Sequence, residues 1–303
     1  YNTAVGTEAL ANLSGSTNYT TGIGRDAGKQ ATTADNCVWI GGNSGPQASV
    51  STGNNNVGIG FQSQHSLTSG HSNIGVGTSA LYGLTDGVRN VAIGYGAMEN
   101  GNVQGTNNVA LGHNTLNQVT TGSHNSTLGA YTLDANQTGN YNVAVGVSAL
   151  TNSTGSYNTV VGANAGLNIT GGTGNIFLGY NAGYYVNSGQ ESVIIGTNAV
   201  TDNGGNSQAL SASVYIGNEA GGAQGQNNAV VIGYQAGYRN YGGASVFVGY
   251  RAGGYTNSGS SGNHNNCIGY RAGYSLTSGS DSCLLYTSPS PRDATLSRMP
   301  SSA

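Results

Sequence analysis

Charge is nearly missing from this chain: only 6% of its 303 residues are Asp, Glu, Lys or Arg, against roughly 25% in an ordinary soluble domain. Eight basic residues face eleven acidic ones, for a formal net charge of −3. That leaves no basic field for a phosphate backbone or an anionic lipid surface, so nucleic acid is excluded as an expected partner. No stretch approaches the run of about eighteen apolar residues that a membrane span requires, so no membrane insertion is expected from this segment. Cysteine is equally sparse. Of Cys37, Cys267 and Cys283, the first two lie far apart in sequence, and they supply neither a disulfide framework nor a paired metal-ligand spacing. No metal and no cofactor are expected. Proline occurs four times, and three of these, Pro289, Pro291 and Pro300, fall in the last fifteen residues.

That tail stands apart. From Cys283 to Ala303 the repeat described below breaks, and the segment reads as the translation of a short-read sequencing adapter rather than as evolved protein. Residues 283–303 are therefore set aside, and residues 1–282 are taken as the folded unit. Tyr1 already stands inside a repeat, Tyr1-Asn2-Thr3-Ala4-Val5-Gly6, so the native N-terminus is expected to lie upstream.

What the chain does have is glycine, 53 residues of it, with 19 tyrosines and 36% hydrophobic residues. Low charge with much Gly, Ser and Thr can mean disorder, but regularly placed Val and Ile argue for folding. One glycine recurs at Gly6, Gly24, Gly41, Gly60, Gly77, Gly94, Gly112, Gly129, Gly146, Gly162, Gly179, Gly196, Gly217, Gly233, Gly249 and Gly269, at intervals of 16 to 21 residues by subtraction. A period near 17 is too short for a helix pair and suits one coil of a β-solenoid, about sixteen coils in all.

Each repeat glycine follows an aliphatic residue, as at Ile59, Ile93, Leu128, Val161 and Ile268. Two residues earlier stands a second, as at Val57, Val91, Val143 and Ile176. Side chains alternate along a strand, so these two share a face, which is expected to be the interior. The residue between them, small at Ala4, Gly58, Gly75, Ala92, Ala110 and Ala144 but bulky at Trp39, Phe177, Tyr215 and Phe247, is expected to face outward. Four residues before the glycine stands Asn, at Asn90, Asn108, Asn142, Asn158 and Asn175 among others, where stacked amides can form a ladder. After the glycine comes a small residue and then Leu, Met or Gly, followed by polar turns such as Leu84-Thr85-Asp86-Gly87. The interior of one such coil is thin. Association is expected through the small-residue face.

The motifs Asn90-Val91-Ala92-Ile93-Gly94 and Asn142-Val143-Ala144-Val145-Gly146, followed by Ala-Met or Ala-Leu, resemble the head repeats of YadA-like trimeric autotransporter adhesins, with related repeats in phage tail fibres. The resemblance runs from Tyr1 to Ser282. It implies an all-β parallel solenoid, a left-handed β-roll, as a homotrimer in an extracellular fibre that attaches to a host-surface glycan or matrix protein, on a bacterial cell surface or a virion. The period is longer and less regular than in the compact head repeat, and the Asn-Ser-Thr-Gly style of loop leans toward the tail-fibre version.

Enzymatic and ligand-loading motifs match only in part. Ile93-Gly94-Tyr95-Gly96-Ala97-Met98 matches one unit of the hexapeptide left-handed β-helix of trimeric acyltransferases, but that fold needs three matches per coil. Gly75-Val76-Gly77-Thr78-Ser79-Ala80 imitates a dinucleotide fingerprint without the helix that must follow. Acids fall at most about once per coil and at differing offsets, against calcium loading. His65, His71, His113, His124 and His264 lie at unmatched repeat positions with no paired carboxylate or cysteine nearby in sequence, and read as loop or surface residues. An ice-binding solenoid would need threonine ladders on a flat side, whereas Thr recurs in the loops. Tyr95, Tyr180, Tyr234, Tyr250 and Tyr270 each follow a repeat glycine and are expected to stack from coil to coil. Tyr180, Tyr184, Tyr234, Tyr238, Tyr250, Tyr270 and Tyr274 are the candidate glycan contacts.

Overall fold

The computed structural model describes residues 1–14, 17–201, 209–222, 225–240, 242–254 and 262–285. Among these the chain is all-β, with seventeen short strands, β1 (Thr3–Val5) to β17 (Cys283–Leu284), and no helix. Each strand pairs in parallel with the next in the chain, so the molecule is a parallel β-solenoid. The register never slips between equivalent positions: Val91, Ala92 and Ile93 stand over Val109, Ala110 and Leu111, and Ile176, Phe177 and Leu178 stand over Val193, Ile194 and Ile195. The ladder runs two residues past 282, because Cys283 and Leu284 pair with Asn266 and Cys267. Three residues after Cys283 the sequence has Tyr286 where every earlier copy has glycine. The rest of the anomalous tail, from 286 on, lies outside the described residues.

The inside and outside of the strand are the reverse of the sequence expectation. The central residue is the buried one: Trp39, Ala92, Ala110, Ala144, Phe177, Tyr215 and Phe247 have no exposed surface. The flanking aliphatics point outward, and Ile93 and Leu128 keep 42% and 51% of their surface exposed. The small-residue face cannot therefore mediate association, since it is each coil's own core. The asparagine ladder explains the polarity. Asparagine and the central residue are two apart in sequence and so share a face, and Asn90, Asn108, Asn142, Asn158 and Asn175 are fully buried.

Each buried amide links two coils. Asn142 donates from Nδ2 to Asn125 Oδ1 at 3.0 Å and to the Gly155 carbonyl at 2.9 Å. Its own Oδ1 accepts from the Asn158 backbone N–H at 3.0 Å and from Asn158 Nδ2 at 3.1 Å. Buried polar groups are tolerated only when paired in this way.

The second segment of each coil forms a ladder of single bonds rather than a strand. The residue four after the glycine donates its N–H to the next coil, as from Leu81 to Ala97 at 2.9 Å and from Leu133 to Ala149 at 3.0 Å. Leu81, Met98, Leu116, Leu133 and Leu150 hold this place with φ between 52° and 57°, a left-handed conformation that costs an L residue about 1–2 kcal/mol. Full burial of these side chains offsets that cost.

The repeat glycine has two requirements at once. Gly94 sits at φ +138°, and a Cβ there would lie 2.3 Å from the carbonyl oxygen of Gly112 in the next coil. Only a residue without a Cβ satisfies both.

Candidate functional site

The outward residues of successive strands form two adjacent columns, the one before the glycine aliphatic in every copy and the other aliphatic except at Thr3, Thr21, Ser126, Thr159, Asn266 and the exposed Cys283. Val5, Ile74, Val143, Val161, Ile176 and Ile268 are among the large apolar residues left exposed. With strands about 4.8 Å apart, sixteen repeats extend this face over roughly 75 Å. A continuous apolar surface of that length is foreign to a free-standing soluble monomer.

Rings border the face on both sides. On one edge, in the place directly after the glycine, Tyr234 stacks on Tyr250 at 5.4 Å and 11°, and Tyr250 on Tyr270 at 5.2 Å and 7°. Arg251 lies 5.2 Å from the Tyr250 ring centre, and Arg271 lies 5.5 Å from Tyr270 and 5.0 Å from Tyr274. Tyr95 meets His113 at 5.4 Å on the same edge. On the other edge, five residues before the glycine, His124, Tyr141 and Tyr157 stack in turn. The histidines are thus less isolated than their spacing suggests, because the coil brings together residues about one repeat apart. His264 Nδ1 lies 3.2 Å from Asp281 Oδ1, a carboxylate partner one coil further along that the sequence reading did not assign to it.

The candidate glycan contacts divide between two places. Tyr234, Tyr250 and Tyr270 belong to the stacked edge, and Tyr274, five residues after its glycine, is tied to it through Arg271. Tyr180, Tyr184 and Tyr238 instead line a concavity of about 420 Å³ together with Tyr185, Asn164, Asn181, Asn198, Thr201, Glu219 and Gly222. Its shape follows from the column five residues after the glycine, which reads Tyr184, Thr201, Gly222, Tyr238 in successive coils. Two consecutive small residues open a gap between two rings. Tyr238 leans over Gly222, where an added Cβ would lie 2.5 Å from Cδ2 and Cε2 of the ring. Tyr185 meets Tyr184 edge-on at 4.6 Å and 70°.

A polar rail runs along the same concavity two residues after the glycine. Asn164 donates from Nδ2 to Asn181 Oδ1 at 3.2 Å, and Asn181 to Asn198 Oδ1 at 3.1 Å. Glu219 continues the rail and accepts from Gln235 Nε2 at 2.6 Å, while Gln235 Oε1 accepts from Arg251 Nε at 2.7 Å. These four lining residues have φ of 53° to 55°, a conformation that asparagine enters more readily than most residues.

Elsewhere Lys29 pairs with Glu8 and with Asp26, which also meets Arg25, on the surface of the first coils. Burial pushes the Cys37 and Cys267 thiols up to about 11, so both stay protonated and inert. Burial also raises the Tyr215 hydroxyl, which donates to the Gln226 carbonyl at 3.0 Å. Among the described residues no group of three or more His, Cys, Asp or Glu is arranged to hold a metal. No described helix is long and apolar enough to cross a membrane. The chain matches no family model, and no curated protein shows significant similarity to it.

Proposed function

We propose that this chain is a structural and adhesive segment of a trimeric extracellular fibre, of the kind found in phage tail fibres and bacterial surface adhesins. The carrying observation is the double column of outward Val, Ile and Leu along the rod. Three copies around one axis would bury these columns against one another, and the strands' unbroken register would keep the contact continuous. This accounts for β-branched residues at positions that the single chain leaves wet. A long, weakly charged, glycine-rich rod with hydrogen-bonded coils suits a spacer or stalk that carries attachment sites on its flanks. The hexapeptide reading is less well supported because each coil presents one such aliphatic strand.

The test pairs mass with composition of the face. Ile93→Glu with Leu128→Glu places two carboxylates on the apolar columns. A trimer that dissociates to folded monomers in this variant fits the reading, and a wild-type chain that is itself a folded monomer is incompatible with it.

A further inference from the structure

We infer that the concavity between Tyr184 and Tyr238 is a binding site for a neutral saccharide, a terminal hexose or a disaccharide unit. The inference rests on the adhesive reading and narrows it to one site and one ligand class. A volume of about 420 Å³ falls in the range of small-molecule sites, which run from about 300 to 1,000 Å³. Tyr184 and Tyr238 stand three coil spacings apart in their column, roughly 14 Å, and the lean of Tyr238 over Gly222 narrows the gap between the rings. Pyranose rings present C–H faces that pack on aromatic rings and hydroxyls that both donate and accept.

The rail meets the second need. In the Asn164, Asn181, Asn198 series Asn164 spends one N–H, Asn198 one lone pair and Asn181 one of each, so each side-chain amide keeps at least one donor and one acceptor for a ligand. Glu219 accepts from Gln235 through Oε2, leaving Oε1 for a sugar hydroxyl. Charge sets the class. Among the described residues no Lys or Arg lines the concavity, Arg251 is turned onto Gln235, and Glu219 would repel a uronic or sialic acid.

The experiment titrates the full chain by calorimetry with maltose, lactose and diacetylchitobiose as neutral probes and with sialyllactose as the acidic one. At least one neutral probe should bind more tightly than sialyllactose. Tyr184→Ala should weaken that binding by about tenfold or more. Thr201→Tyr, which fills the gap with a ring the same column carries at Tyr82, Tyr184 and Tyr238, should abolish it. Tyr95→Ala, far along the rod, should leave it unchanged, and circular dichroism checks that each variant folds. No neutral binding at about 10 mM, a preference for sialyllactose, or wild-type affinity in Tyr184→Ala or Thr201→Tyr overturns the site. A trimer that ignores neutral sugars would remove this site alone, whereas a sugar-binding monomer would remove only the shared axis.

Discussion

Within a coil, the central strand residue and the residue four after the glycine fill one volume between them. Ala92 pairs with Met98 and Ala144 with Leu150, whereas Phe177 pairs with Gly183 and Tyr215 with Gly221. A Cβ on Gly221 would lie 2.4 Å from the Tyr215 ring, and one on Gly183 would lie 3.0 Å from Phe177. Phe177→Ala is therefore expected to cost about 3–5 kcal/mol through the cavity it leaves. Adding Gly183→Leu should recover part of this, because the leucines at that place already tolerate the same backbone conformation; urea unfolding of the two variants measures the recovery. His65 provides a second residue-scale test. Its ring stacks on Tyr82 at 4.7 Å, its Nδ1 is buried without a partner, and burial holds its pKa below the usual 6.5. Between the folded pKa and 6.5 the unfolded chain binds more protons, so stability should rise with pH across that window and be lost as pH falls through it. His65→Gln should flatten the dependence in thermal unfolding followed from pH 5 to 8.

At the scale of the element, the parallel strand ladder and the buried amide ladder carry the coil stacking. Asn142→Ala would leave the Asn158 backbone N–H and the Gly155 carbonyl without these partners, while Asn125 Oδ1 keeps the residue-142 backbone N–H and Asn158 Nδ2 keeps the Gly172 carbonyl. At about 1–3 kcal/mol for each unsatisfied group, the loss should reach about 3 kcal/mol or more by chemical denaturation. Asn142→Ser should cost less, since Ser192, Ser213 and Ser245 already hold that place and stay buried. The strand was legible in the sequence as a repeated aliphatic pair before a glycine, but its direction was misread. Alternation says which residues share a face and not which face is inside. The deciding sign was present in the asparagine: a recurrent amide that must be paired belongs inside, and parity then places the central residue with it. Hydrophobicity alone pointed the other way, because the outward Val and Ile suit a partner surface that a single chain does not contain. The glycine was legible as a recurrence, but its reason, the approach of the next coil's carbonyl, depends on stacking that no single repeat displays.

At the scale of the whole molecule, columns matter more than neighbours in sequence. Tyr184 and Tyr238 lie 54 positions apart by subtraction, yet they wall one concavity because Thr201 and Gly222 stand between them in the same column. Reading the tyrosines together found three of the four lining rings; reading the chain by columns would also have found Asn164, Asn181, Asn198 and Glu219. The same columns define the apolar face that would be shared by the copies of a fibre. The most direct test is the molar mass of the chain in solution by light scattering, with a circular dichroism spectrum on the same sample. The account predicts a β-rich particle of three chains, and a folded monomer that stays monomeric at high concentration would contradict it.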